Sequence, residues 1–146
     1  MDPSVMASTG AAVSIIVSAI GAAYAIASCA PALASVTSEK PELGSKLLIA
    51  IILGEALAIY GLLIAFMIIS RLPVITTEEA GLRGLLAGIS MGGSAIAAGV
   101  GISYCGPALM TATVEKPESY TINILGLVLS EALAIYGLLI AFMLNT

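Results

Sequence analysis

Apolar residues run along this chain in four long stretches, 3–38, 47–70, 84–114 and 119–146, with polar residues gathered in the short gaps between them. Each stretch exceeds the roughly 20 residues with which a helix crosses a hydrocarbon core. None shows the alternating pattern of a barrel strand, and a chain in lipid must close its backbone hydrogen bonds within itself. The pattern predicts four transmembrane helices and an all-α membrane protein. The first stretch reads as a retained helix, because Met1–Gly10 carries no basic segment and the apolar run is too long for a cleaved signal peptide.

The pattern also repeats, with a period of 76 residues. Glu55-Ala-Leu-Ala-Ile-Tyr60-Gly-Leu-Leu-Ile-Ala-Phe-Met67 returns unchanged as Glu131 to Met143. Glu39-Lys40-Pro41-Glu42 returns as Glu115-Lys116-Pro117-Glu118, and Cys29 with Pro31 returns as Cys105 with Pro107. A repeat of this size defines the unit of the fold. Each unit is a helical hairpin, the first over residues 1–72 and the second over 73–146. Two helices return the chain to the side it started from, so both hairpins insert the same way round. Inverted repeats are a common route to an alternating-access transporter, whereas these two units are related by rotation about the membrane normal. Repeated rotation by a constant angle closes into a ring.

Composition sharpens the picture. Hydrophobic residues make up 60% of the 146, and only five Lys or Arg and nine Asp or Glu carry charge. A soluble domain carries about 25% charged residues. With no His and two Cys, the chain lacks the makings of a zinc cluster, a Cys/His nucleophile pair or a disulfide framework. Its scattered cations do not form the basic face that nucleic acid requires. Twelve of the charges mark the gaps: Asp2; Glu39, Lys40, Glu42 and Lys46; Arg71, Glu78, Glu79 and Arg83; Glu115, Lys116 and Glu118. The other two, Glu55 and Glu131, lie inside the second and fourth apolar runs. A charge at mid-membrane costs about 2.5–3.5 kcal/mol on insertion scales, so an intramembrane carboxyl is by default a functional group. The plainer reading is a neutral carboxyl bonded to a backbone carbonyl and kept for packing.

The odd and even runs differ in bulk. Gly10, Ser14, Ser18 and Ala22 recur every four residues in the first, as do Gly84, Gly88 and Gly92, and Gly93, Ala97, Gly101 and Cys105, in the third. Small residues at that spacing let helices approach closely in lipid. The second and fourth runs are rich in Leu and Ile, with Tyr60, Phe66, Tyr136 and Phe142. An inner circle of small-residue helices inside an outer circle of bulky ones is expected.

Taken together, the paired hairpins, the Gly-rich odd helices, the loops Glu39–Glu42 and Glu115–Glu118 and the stretches Glu55–Gly61 and Glu131–Gly137 resemble the proteolipid, or membrane rotor-ring component, of rotary ATPases. The likeness is to its duplicated form and covers essentially the whole chain. It implies a homo-oligomeric ring in the lipid bilayer that turns against a stator subunit supplying an Arg, with central-stalk subunits at the hairpin loops. It also implies no catalytic residues and no cofactor, nucleotide chemistry belonging to partners. Vacuolar members usually keep the carboxylate only in the second hairpin. The presence of Glu55 therefore points to the archaeal-type branch or its bacterial relatives, and to the cell membrane of such an organism.

The carried ion is expected to be a proton rather than sodium. Sodium-binding members add oxygen ligands, typically a Gln and a Ser or Thr just after the Glu, whereas this chain has no Gln and continues with Ala56 and Ala132. Tyr60 and Tyr136, five residues on, either hydrogen-bond the carboxyl of their own helix or pack as interfacial aromatics. Cys29 and Cys105 read as small packing side chains. Pro31 and Pro107 are expected to kink the odd helices or mark where they leave the membrane, and Arg71 and Arg83 to sit in a loop. Lys40, Lys46 and Lys116 against Arg71 and Arg83 leave the positive-inside rule undecided. The hairpin loops are placed in the cytoplasm on the resemblance alone. A four-helix proton-coupled exporter would carry one Glu in its first helix, and a purely structural proteolipid would tolerate loss of both.

Overall fold

A computed structural model describes all 146 residues and contains four long helices and no strand. They are α1 (Pro3–Glu39), α2 (Ile49–Arg71), α3 (Glu78–Glu115) and α4 (Tyr120–Leu144). Each, with its flanking turns, is long and apolar enough to cross a membrane.

Their ends follow from local chemistry. The Asp2 side chain caps α1 by accepting from the Ser4 backbone N–H at 2.8 Å, and Pro3 takes the first helical position, where no N–H is needed. Thr77 caps α3 in the same way through the Ala80 N–H at 3.2 Å, and Glu78 and Glu79 in the first turn face the positive end of the helix dipole. Both hairpin turns begin at a Lys-Pro pair. A 3-10 turn over Pro41–Leu43 and a four-residue helix, Gly44–Leu47, lead from α1 into α2, and a 3-10 turn over Pro117–Ser119 leads from α3 into α4.

The expectation that Arg71 and Arg83 sit in a loop is corrected, and Pro31 and Pro107 lie inside helices that run on to Glu39 and Glu115. In lipid a chain that left its helix there would strand backbone groups, and neighbouring helices hold a Pro in place at lower cost. Arg71 and Arg83 are helical, Arg71 as the last residue of α2 and Arg83 in the second turn of α3. Arg83 pairs with Glu79 at 2.9 Å one turn back, and Arg71 meets the negative end of its helix dipole.

The core is the contact between α1 and α3. A Cβ on Gly88 would overlap the Gly10 carbonyl, and one on Gly99 would overlap the Gly21 carbonyl, so backbone lies on backbone. Contacts advance together along both helices, from Pro3 on Gly81 through Gly10 on Gly88 and Gly21 on Gly99 to Cys29 on Gly106. The two helices therefore run in the same direction, as insertion of both hairpins the same way round requires. In each hairpin a Ser of the small-residue helix bonds a Gly carbonyl of its partner. Ser14 donates to Gly61 at 2.9 Å and Ser90 to Gly137 at 3.4 Å, both residues moved by the sequence period. The bulky side chains of α2 and α4, among them Leu62, Phe66, Leu139 and Phe142, stay exposed as a lipid-facing surface.

A buried carboxyl between the two hairpins

α2 and α4 meet along one side of the bundle, and Glu131 of α4 points into that seam with 7% of its surface exposed. Tyr60 of α2 donates its hydroxyl proton to Glu131 Oε1 at 2.5 Å. That length lies at the short end of the O–H···O range. No three His, Cys, Asp or Glu side chains converge anywhere in the chain, and the Tyr60 hydroxyl is the hydrogen-bond partner of the carboxyl.

Of the two alternatives for the tyrosines, bonding to the Glu of their own helix does not occur. Five residues at about 100° each turn a side chain through about 500°, which leaves it about 140° away around the helix. Tyr60 thus turns from Glu55 toward the other hairpin. Glu55 and Tyr136 are exposed, Tyr136 to 61%. Of four candidate residues the fold unites two, one from each repeat.

The surroundings are quiet. The Ser130 hydroxyl, beside Glu131 in sequence, donates to the Gly126 carbonyl at 2.7 Å and faces Cys105 Sγ at 3.8 Å. Cys29 is a buried free thiol whose Sγ lies 3.7 Å from the Ile102 carbonyl, in the packing role expected of it. At the hairpin-turn end, Lys40 Nζ donates to the Val114 carbonyl at 2.6 Å and Lys46 Nζ stands 3.9 Å above the Tyr120 ring. Lys40 satisfies a carbonyl that the end of α3 leaves without a helical partner. The linear pattern presents these lysines only as turn and orientation signals, and nothing in it marks the carbonyl that Lys40 reaches.

The fold and site define a multi-pass membrane protein of two like-oriented hairpins with an intramembrane carboxyl at their junction. A sequence model of the ATP synthase C-subunit family matches residues 9–68 and again 85–144, one match per hairpin. The chain belongs to that family. It is 36% identical over 140 residues to the 16 kDa proteolipid of the V-type proton ATPase of Nephrops norvegicus, covering 94% of this chain and 87% of that protein. It is 36% identical over 137 residues to the protein of the same description from Rattus norvegicus, covering 94% and 88%. The V-type proton ATPase c-subunit of Candida tropicalis is 31% identical over 139 residues, covering 95% and 87%.

Proposed function

We propose that this chain is the proton-carrying rotor component of a rotary ATPase, with Glu131 and Glu55 as its two carriers and residues 1–72 and 73–146 as its two units. The observation that carries the proposal is the Glu131 carboxyl, buried deep within α4 and bonded to Tyr60. A carboxyl in low dielectric favours its neutral form, so a protonated Glu travels past lipid at modest cost. Where a stator subunit presents an aqueous path and an Arg, the ionised form is stabilised and the proton leaves. The Tyr60 hydroxyl steadies the carboxylate formed there. Reloading from the opposite side gives rotation its direction. Each charge moved across the membrane potential is worth about 2.3 kcal/mol per 100 mV, so several transfers accompany each ATP.

Protons rather than sodium suit this site, because a dehydrated cation needs several oxygens and the hydrogen-bond partner of Glu131 is one hydroxyl. The relatives' description as proton ATPase components supports the same ion. In this reading the hairpin turns meet a central stalk and nucleotide chemistry belongs to other subunits. The membrane is that of an archaeal or bacterial cell, on the strength of the second carboxylate. The relatives from Nephrops, Rattus and Candida lend that placement no support.

A hydrophobic carbodiimide, which reacts with protonated carboxyls in apolar sites, is expected to label both Glu55 and Glu131 of rings in native membranes, with no protection by sodium. Labelling at one position alone defeats the claim of two carriers, and sodium protection reverses the choice of ion. Glu131→Gln is expected to abolish ATP-driven acidification of vesicles, and full activity in that variant would leave only a packing role.

A further inference from the structure

At the end of the bundle opposite the hairpin turns, the last residue of α2, the start of α3 and the end of α4 enclose a cavity of about 80 Å³. One water needs roughly 10–15 Å³ of such space, so the cavity has room for several waters or a small polyatomic ion. Its polar lining is Arg71, Arg83, Asn145 and Thr146, and Ile75 and Leu144 stand among its apolar walls.

Two unpartnered groups meet there. The Asn145 side chain is buried, 5% exposed, yet its Nδ2 has no hydrogen-bond partner. Buried polar groups are nearly always paired, because leaving water without a new partner costs free energy. The two ion pairs of the chain, Met1 with Glu78 and Arg83 with Glu79, leave Arg71 unpaired. Packing does not call for these groups. Moved back by the 76-residue repeat, Arg83 becomes Ala7 and Asn145 becomes Ile69, so the first hairpin has neither a guanidinium nor an amide at those positions. The identity between Glu55–Met67 and Glu131–Met143 breaks off at Leu144, where the cavity begins.

We propose that this cavity binds a phosphate group, carried by a phospholipid head group or by free phosphate. The planar fork of Arg71 suits two oxygens of a tetrahedral oxyanion, and Asn145 Nδ2 donates to a third. Arg83 spends one N–H on Glu79 at 2.9 Å and keeps others for the same ligand. Helix ends carry partial charges: those of α2 and α4 oppose an anion, that of α3 favours one, and Arg71 adds a full positive charge. Arg71 follows directly on the apolar run 47–70, so the cavity stands at the level of lipid phosphates rather than in hydrocarbon. Basic pockets between transmembrane helices are a recurring class of head-group site. Neither Glu55 nor Glu131 takes part, and the site goes beyond the proton reading without depending on it.

Native mass spectrometry of the full chain in a phosphate-free detergent tests the site, with dioleoylphosphatidylglycerol and inorganic phosphate titrated separately. One bound probe per chain is expected. Arg71→Gln and Asn145→Leu are each expected to weaken that binding about tenfold or more, the scale of one charge-assisted hydrogen bond. Asn145→Leu keeps the shape of the side chain and removes the unpartnered amide, so its thermal midpoint without probe is expected to rise. Loss of binding in that variant is then not loss of fold. Binding of the lipid alone assigns the head group as the source, and binding of inorganic phosphate alone assigns the free ion. Binding of both assigns the phosphate group itself. An unmodified chain that binds neither probe, or either variant binding as the unmodified chain does, overturns the site and leaves water as its occupant. A lowered midpoint in Asn145→Leu overturns it too, since the amide then serves packing. Carbodiimide labelling of Glu55 and Glu131 reads the proton site separately and stands or falls apart from these results.

Discussion

At the scale of single residues, the weight of the molecule rests on one hydroxyl and one carboxyl. The Tyr60 hydroxyl donates to Glu131, and a hydrogen bond to a charged group contributes about 1.5–3 kcal/mol. Tyr60→Phe is therefore expected to lower ATP-driven proton uptake about tenfold or more while rings still assemble, as read by vesicle acidification and native gels. A second residue-scale effect lies outside the membrane, at Asp2. Hydrogen bonds from the Ser4 side chain and backbone hold its carboxyl below the ordinary 3.8. A carboxyl with a lowered value in the fold contributes its stabilisation fully above its ordinary range, and loses it as pH falls through the lowered value. Amide exchange in the first turn of α1 is expected to quicken below pH 3.8 and to be fast at all pH values in Asp2→Ala.

At the scale of helices, small side chains do what apolar burial does in water. Lipid tails are as apolar as Leu, so helices associate through close van der Waals contact, and only small residues let two backbones touch. Gly10, Gly21, Gly88 and Gly99 provide that approach between α1 and α3, and Ser14 and Ser90 tie each small-residue helix to its bulky partner. Gly88→Leu drives a side chain into the Gly10 carbonyl, where backbone and not a flexible side chain must move. Overpacking of this kind costs about 1–3 kcal/mol, and a loss at or above the upper end is expected in mixed-micelle unfolding. Gly93→Ala, with open space around it in the single chain, should be near neutral in the same measurement.

At the scale of the whole molecule, the chain closes one Tyr–Glu pair, Tyr60 with Glu131, and leaves Glu55 and Tyr136 exposed. An exposed carboxyl in the middle of a lipid-length helix is costly until a partner covers it. The packing also separates two kinds of glycine, those set against backbone and those in open space. Gly93→Trp is expected to leave the helical content of the solubilised chain unchanged, because no other residue lies within 4 Å of a Cβ at that position. Circular dichroism reads the helices.

The linear sequence determined the four membrane helices, the hairpin as unit, the like orientation of the two hairpins and both carboxylates. It could do so because lipid imposes one-dimensional demands: a span must be long, apolar and internally hydrogen-bonded, and an uncompensated charge inside it stands out. The 76-residue repeat carried orientation for the same reason, since parity of crossings is a counting matter. The continuation of α1 through Pro31, the reach of Lys40 to Val114 and the choice of Glu131 over Glu55 as the partner of Tyr60 were settled only in three dimensions. Those depend on the rotation of each helix about its axis and on its register against its neighbours. Residues five apart on one helix look in different directions, so a carboxyl finds its hydroxyl on another element, and only packing decides which.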